Sequence, residues 1–385
     1  MSTSRLFNCN TIKGIRFYSS ALADEILTSE KGKCLNITLN RPKALNSLNP
    51  NMVKILTPKY LEWRKNKKNG DLVIVMKGSG EKAFCAGGDI RAIYDYGNPT
   101  STLKNDPKLE KISDTFFREE YFLNHLIGTN PIPQVSIYNG ITMGGGVGLS
   151  VHGKFRVATD NTLFAMPETG IGFFCDVGGS YFLSRLPHRL GYYLALTGAK
   201  LKGKNVYASG IATHFVKSEN IPKLEEALEQ LSNPTNENVE QLLNQFSEKI
   251  DKNDTTLDIN VNIKDIERIF SKNSVEEIIA TLEKENTDFA INTLKTLKQM
   301  SPTALKVVFE QLNQGKSKSL AECLKMEFRM SQTFMENTDF FEGVRALLVD
   351  KDKNPKWNPD CISKVSDSLV QSYFKPIKNE LELLE

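Results

Sequence analysis

The run from Gly140 to Gly179 constrains this chain more than any other. It reads Gly140-Ile141-Thr142-Met143-Gly144-Gly145-Gly146-Val147-Gly148 and then, further on, Met166-Pro167-Glu168-Thr169-Gly170-Ile171-Gly172-Phe173-Phe174-Cys175-Asp176-Val177-Gly178-Gly179. Glycine gives up more backbone entropy on folding than any other residue, so its use lies in left-handed conformations and in letting another group approach the main chain. The run therefore predicts loops that touch a ligand. Glu168 and Asp176 stand in it with apolar neighbours on either side. A carboxylate beside a desolvated pocket resists ionising, and two such groups in unlike surroundings let one site hold both an acid and a base. They are the candidate catalytic pair; on spacing alone, a solvated surface role is the alternative.

Leu72-Val73-Ile74-Val75-Met76 is a continuous apolar run, the mark of a strand covered on both faces. It empties into Gly78-Ser79-Gly80 and then Phe84-Cys85-Ala86-Gly87-Gly88-Asp89-Ile90. Gln134-Val135-Ser136-Ile137-Tyr138 is a second strand and leads into the Gly140 run. Twice, then, a buried strand delivers a Gly-Gly pair to the start of a helix, where N–H groups have no helical partner and point outward. Two such pairs converging on one oxygen would make an oxyanion hole. The same amides suit a phosphate, and the residues alone leave both readings open.

Around these turns, Cys34–Leu39 alternates like a half-buried strand, and residues 52–65 have helical spacing interrupted by Pro58. Residues 111–128 place Ile112, Phe116, Phe117, Tyr121, Leu123 and Leu126 at near-helical intervals, and Arg118-Glu119-Glu120 reads as the solvated face of that helix. Residues 181–201 are helix-like with Gly191 inside, and a short strand is expected at His214-Phe215-Val216. From 221 glycine nearly disappears and short helical patterns follow one another to 369. Ser274-x-x-Glu277 and Ser319-x-x-Glu322 are capping boxes, and Ser301-Pro302 sets a capping serine before a proline. The tract 233–262 is polar enough to include a mobile loop. At 385 residues the chain is long for one core, so a main domain over 19–220 and a helical region over 221–385 are expected.

A net charge of +3, with no basic stripe, excludes a direct nucleic-acid footprint as the organising function. No apolar run reaches the roughly 18 residues that span a bilayer. The cysteines Cys9, Cys34, Cys85, Cys175, Cys323 and Cys361 lack a Cys-x-x-Cys spacing, so neither a metal cluster nor a disulfide framework is expected and a reducing compartment fits. His125, His152, His188 and His214 show no metal-ligand spacing and read as core or surface residues. Residues 1–23 carry Arg5, Lys13 and Arg16 with several Ser and Thr and no acid before Asp24, the composition of a mitochondrial presequence. Arg16-Phe17-Tyr18-Ser19 sets its end after Tyr18, giving a leader over 1–18; a disordered basic tail is the plainer alternative.

Leu39-Asn40-Arg41-Pro42-Lys43-Ala44-Leu45-Asn46, Phe84-Cys85-Ala86-Gly87-Gly88-Asp89-Ile90 and Gly144-Gly145-Gly146 together resemble the crotonase (enoyl-CoA hydratase/isomerase) superfamily. Within it, the longer Gly140 to Gly153 run, Phe164-Ala165-Met166-Pro167-Glu168-Thr169, Asp176-Val177-Gly178-Gly179 and Lys351-Asp352-Lys353-Asn354-Pro355-Lys356-Trp357 are similar to the branch of 3-hydroxyisobutyryl-CoA hydrolases. The resemblance implies an α/β fold, a crotonase spiral of repeated ββα units with a C-terminal helical region. It implies thioester hydrolysis of an acyl-CoA in valine breakdown in the mitochondrial matrix, with coenzyme A as part of the substrate and no separate cofactor. It sets the oxyanion-hole amides at Gly88 and Gly145, the catalytic carboxylates at Glu168 and Asp176, and Glu120 against the acyl group. Lys43, Ala86, Asp89 and Ile90 would line the coenzyme A arm. Two positions depart from pattern. Gly148 stands where hydratases of the superfamily carry a second Glu, and Cys175 stands where the hydrolases commonly have Pro, so a less rigid loop before Asp176 is expected.

Other readings fare worse or stand beside this one. Gly144-x-Gly146 is followed by Leu149 where a dinucleotide-binding turn needs its third Gly, and Gly148-Leu149-Ser150-Val151-His152 lacks the last Gly of a serine-hydrolase elbow. An enoyl-CoA hydratase or isomerase is the rival inside the superfamily. The resemblance also admits a homo-oligomer and association with the mitochondrial small ribosomal subunit, through protein rather than RNA.

Overall fold

The computed structural model describes residues 25–66, 72–98 and 112–384, so the leader over 1–18 lies outside the described residues. The chain enters as a hairpin of β1 (Ile26–Lys31) and β2 (Cys34–Leu39), turned at Gly32 with φ +58°. β1 was not legible in the sequence, because only Ile26 of its six residues is buried and an exposed edge strand carries no apolar period. Thereafter the pattern repeats. β3 (Val73–Gly78), β5 (Gln134–Tyr138), β7 (Phe155–Ala158) and β10 (His214–Phe215) add in parallel to a six-stranded sheet of order β1-β2-β3-β5-β7-β10. After each of the first three, the chain drops into a short strand of a second sheet: β4 (Ala83–Cys85), β6 (Ile141–Met143), β8 (Leu163–Ala165). β9 (Leu201–Lys202) closes that sheet antiparallel to β8. This is the spiral of ββα turns that the resemblance implies. The three-residue strands were missed because they are too short to show a period.

Helices α1 (Pro50–Asn66), α2 (Ile90–Gly97), α3 (Ile112–Gly128) and α4 (Gly145–Gly148) follow strands of the spiral, and α1 runs through Pro58. The apolar run of β3 is continuous because both faces of the large sheet are covered. Val73, Val75, Val135, Ile137, Phe155 and Val157 meet Ile221, Leu224, Leu228, Val239 and Leu243, from the helices Ile221–Glu229 and Asn236–Phe246. Ile74, Met76 and Tyr138 turn to the other face and join the main core. Part of the polar tract 233–262 is therefore helix, with Val239 and Leu243 one turn apart as its buried face and Thr235 as its cap.

Beyond 300 the caps form as the sequence predicts. Ser319 and Glu322 make a reciprocal capping box, and Ser301 accepts from the Ala304 amide with Pro302 in the first turn. Ser274 caps Glu277 N–H, whereas Glu277 turns its carboxylate to the Asn273 amide instead. Residues 181–201 are two pieces. A helix over Gly179–Phe182 ends in 3-10 turns, His188 and Arg189 take left-handed φ values of 54° and 58°, and a second helix spans Leu190–Thr197. Gly191 marks the crossing, since a Cβ there would lie 1.8 Å from Leu183 O.

The two glycine turns are brought together by direct packing of backbone on backbone. A Cβ on Gly146 would fall 2.4 Å from Cys85 O and 2.7 Å from Cys85 Cβ, pushing α4 away from β4. At Gly88 the same atom would meet nothing nearer than Phe116 at 3.9 Å. Gly146→Ala should thus cost about 1–3 kcal/mol, as overpacking does. It should lower Tm by about 2–4 °C per kcal/mol, while Gly88→Ala leaves Tm within about a degree; equal melting curves for the two variants would contradict this packing.

Candidate active site

The first turn is strapped from behind by Leu48, whose N–H donates to Gly87 O at 2.8 Å and whose carbonyl accepts from Asp89 N–H at 2.8 Å. Gly88 lies between these two bonds. In the second turn Gly144 takes φ 44° and hands the chain to α4, with Gly145 as its first residue. Among the described residues neither the Gly88 N–H nor the Gly145 N–H finds an acceptor. The turns abut: a Cβ on Gly145 would lie 3.2 Å from Gly88 N and 2.7 Å from Glu120 Oε1. Only glycine at 145 lets the amide turn and the carboxylate meet. Because α4 has four residues, the donors act as two local amides, with little help from a helix dipole.

Glu168 opens a 3-10 turn over Glu168–Ile171, closed by Gly172 at φ 68°. Its Oε1 lies 3.0 Å from where a Gly144 side chain would begin, and its Oε2 is buried without a hydrogen-bond partner. Burial, helped by the Asp176 charge, pushes its carboxyl up to about 8. Asp176 is likewise pushed up by burial, to about 7, against a hydrogen bond that Tyr121 donates to Oδ2 at 2.9 Å. Glu120 is held well above the ordinary carboxylate range by burial and then by Asp176, and its Oε1 has no partner. All three carboxylates, both glycine turns and an apolar wall that includes Phe116, Phe117, Phe173, Met300 and Phe340 line one cavity of about 580 Å³. That volume suits a small organic ligand.

The structure brings Gly88, Gly145, Glu120, Glu168 and Asp176 to this cavity, and Ala86, Asp89 and Ile90 line it too. Asp89 turns its carboxylate to Arg41 at 3.1 Å. Lys43 is exposed on the 3-10 turn Pro42–Ala44 and does not form part of the wall. The reading of Glu120 as a solvated charge is overturned: it is 2 % exposed. Its helix, α3, packs between α1 and the helix Leu320–Glu336, and Glu120 falls on a buried side, while Arg118 and Glu119 beside it stay partly exposed. Arg118 escapes by laying its guanidinium over the Phe328 ring at 4.3 Å and donating to the carbonyls of Asn379 and Glu380. Tyr121 was read only as core; standing next to Glu120 on a helix that crosses the cavity was the signal available for it.

Cys175 is buried, with Sγ 3.8 Å from Met166 O and from Ala195 O, and its carbonyl accepts from Gln311 Nε2 at 2.7 Å. The loop before Asp176 is thus fixed by hydrogen bonds where a proline ring would have fixed it by torsion. His152 is a core histidine, bonded through Nε2 to Val177 O at 2.7 Å and kept neutral by burial, which lowers it to about 4. Among the described residues no group of His, Cys, Asp and Glu is arranged to hold a metal ion.

A family model described as enoyl-CoA hydratase/isomerase matches residues 34–374. A protein of Dictyostelium discoideum named 3-hydroxyisobutyryl-CoA hydrolase, mitochondrial, is 64% identical over 373 residues, 96% of each chain. One of Homo sapiens with the same name is 48% identical over 357 residues, 92% of this chain and 89% of that one. Among solved structures, a carnitinyl-CoA dehydratase from Mycobacterium thermoresistibile superposes with TM-score 0.83 at 35% identity, covering 93% of this chain and 98% of that one. An enoyl-CoA hydratase from Rhodobacter sphaeroides does so with TM-score 0.81 at 32% identity, covering 93% and 99%. With the ββα spiral, the paired glycine turns and these matches in agreement, the chain belongs to the enoyl-CoA hydratase/isomerase family.

Proposed function

We propose that the chain hydrolyses the thioester of 3-hydroxyisobutyryl-CoA to 3-hydroxyisobutyrate and coenzyme A, a step of valine breakdown, in the mitochondrial matrix. The observation that carries this reading is a buried carboxylate, Glu168, with an unpartnered oxygen in the same cavity as two unpaired amides. The names of the relatives from Dictyostelium discoideum and Homo sapiens supply the substrate and the organelle.

The thioester oxygen is received by the amides of Gly88 and Gly145, which stabilise it as charge builds on the tetrahedral intermediate; one such donor is worth about 3 kcal/mol. Glu168 either attacks the carbonyl carbon, giving a mixed anhydride and releasing the thiolate, or takes a proton from a water that attacks instead. Both routes need its ionised form. Asp176, with one oxygen fixed by Tyr121, binds the substrate hydroxyl or orients the water. Glu120 closes the acyl end of the cavity.

Position 148 favours hydrolysis over hydration. A Cβ on Gly148 would lie 2.6 Å from Val177 Cβ and 2.9 Å from Asn124 Nδ2, so the second carboxylate that the resemblance assigns to hydratases has no room here. Crotonyl-CoA should not be hydrated measurably under conditions where 3-hydroxyisobutyryl-CoA is cleaved; hydration at a comparable rate would reverse the assignment.

Glu168→Gln should lower kcat at least about a hundredfold with binding of the CoA ester retained, and retention of more than a few per cent of the activity would remove Glu168 from its role. Because the free enzyme must lose a proton from a pair held near about 7 and about 8, kcat/KM should climb between pH 6 and pH 8 and then level. A profile flat across that interval would show that neither group titrates there.

The same shift predicts a stability effect. A carboxyl raised from 4.5 to about 8 on folding binds its proton more tightly in the native state. Its contribution is fully present below 4.5 and is lost as the pH rises through about 8. Glu168→Gln should therefore melt higher than the parent at pH 8, by about 2 °C or more, and the gap should shrink at pH 5. A variant less stable than the parent at pH 8 would contradict the burial of an ionising group.

A further inference from the structure

The segment 175–180, which carries Asp176, is bonded along its main chain by side chains from outside it. Cys175 O accepts from Gln311 Nε2 at 2.7 Å and Val177 O accepts from His152 Nε2 at 2.7 Å. Gly178 N–H donates to Glu327 Oε2 at 2.6 Å and Ser180 N–H to Glu327 Oε1 at 2.8 Å. Ser180 Oγ donates to the same Oε1 at 2.6 Å and accepts from Gln311 Nε2 at 2.9 Å. Between these bonds Val177 has φ 53°, a left-handed conformation that a β-branched side chain avoids and that persists only where its surroundings over-determine it.

Glu327 is the centre of that restraint. It is fully buried on the helix Leu320–Glu336, it does not line the cavity, and both its oxygens are spent on the segment beside Asp176. We propose that Glu327 is a positioning residue for the reaction: by bonding the Gly178 and Ser180 amides it holds Val177 left-handed and thereby fixes the Asp176 carboxylate against the acyl group. This rests on the hydrolase reading for its substrate and on the hydrogen-bond geometry of the loop for its mechanism. Burial pushes the Glu327 carboxyl up to about 8, and the three donors oppose that shift. A glutamine of the same length presents one oxygen and one NH2, so one of the two amides would face a donor.

The test compares the full chain with Glu327→Gln by hydrogen exchange, read by mass spectrometry, and by steady-state kinetics. Peptides covering 176–181 should exchange at least about tenfold faster in the variant, while those of β5 and β7 are unchanged. For 3-hydroxyisobutyryl-CoA, kcat should fall at least about tenfold with KM within about threefold of the parent. Gln311→Met, which removes the donor to Cys175 O at similar volume, should lower kcat in the same sense by a smaller factor. It decides the matter if Glu327→Gln does not accumulate as folded protein, unchanged kcat then overturning the proposal. Unchanged exchange in 176–181, kcat retained above half, or a fall in kcat matched by an equal rise in KM would each overturn it as well. If the parent chain fails to cleave the ester, the hydrolase reading falls, and the exchange comparison alone decides whether the clamp exists.

Discussion

Four carboxylates, Glu120, Glu168, Asp176 and Glu327, are buried close to one another, and among the described residues none of them forms an ion pair. Taking one such charge out of water costs several kcal/mol even after relaxation. The groups that oppose this cost are neutral: the Tyr121 hydroxyl at Asp176, and two amides and a hydroxyl at Glu327. A lysine or arginine paired with them would lower the carboxyls towards their ordinary range and leave no group near neutrality; Arg91, on the cavity wall, is instead half-exposed and bonded to Asp95 at 2.9 Å. Among the described residues no cation is paired with these carboxylates, and that is what makes acid and base chemistry available.

Main-chain amides then become the fixed positive ends nearest these carboxylates, which is why the chain spends glycine there. Gly144 serves through its left-handed φ and through the approach of Glu168; Gly145 serves through the approach of Glu120 and Gly88. Such a site is destabilising, and the two apolar clusters on either side of the large sheet offset it. The helices after 300 contribute both packing and hydrogen bonds, so the Asp176 loop is fixed by residues more than 130 positions further along the chain.

What the sequence made legible follows from the same physics. Glycine pairs after apolar strands have few other uses, so both turns, with Glu168 and Asp176 as candidates, could be found before any coordinates, and the family resemblance singled out Gly88 and Gly145 within them. Helical spacing alone missed Glu120, which only the family resemblance set against the acyl group, because reading a charged group as the solvated face of a helix assumes that the helix has such a face. Glu327 and Gln311 were findable in principle. Glu327 falls between Cys323, Met330 and Phe334 on the buried stripe of its helix, and Gln311 falls between Val307, Val308 and Leu312 on its own. A polar residue at a core position of an amphipathic pattern signals a buried bond. Neither periodicity nor propensity could reveal Val177, whose left-handed φ is imposed by groups distant in sequence.

Val177 also ties reaction choice to the clamp. Its side chain, turned inward by the left-handed backbone, fills the space above α4 that any residue larger than glycine at 148 would need, with Asn124 on the other flank. An extended conformation at 177 would swing that side chain away and open the space, but it would also release Asp176 from the position Tyr121 and the loop bonds give it. The geometry that presents Asp176 is thus the geometry that excludes a further carboxylate from α4. A shift from ester cleavage towards hydration within this fold would have to change residues 148 and 177 together, and the helix that holds the loop as well.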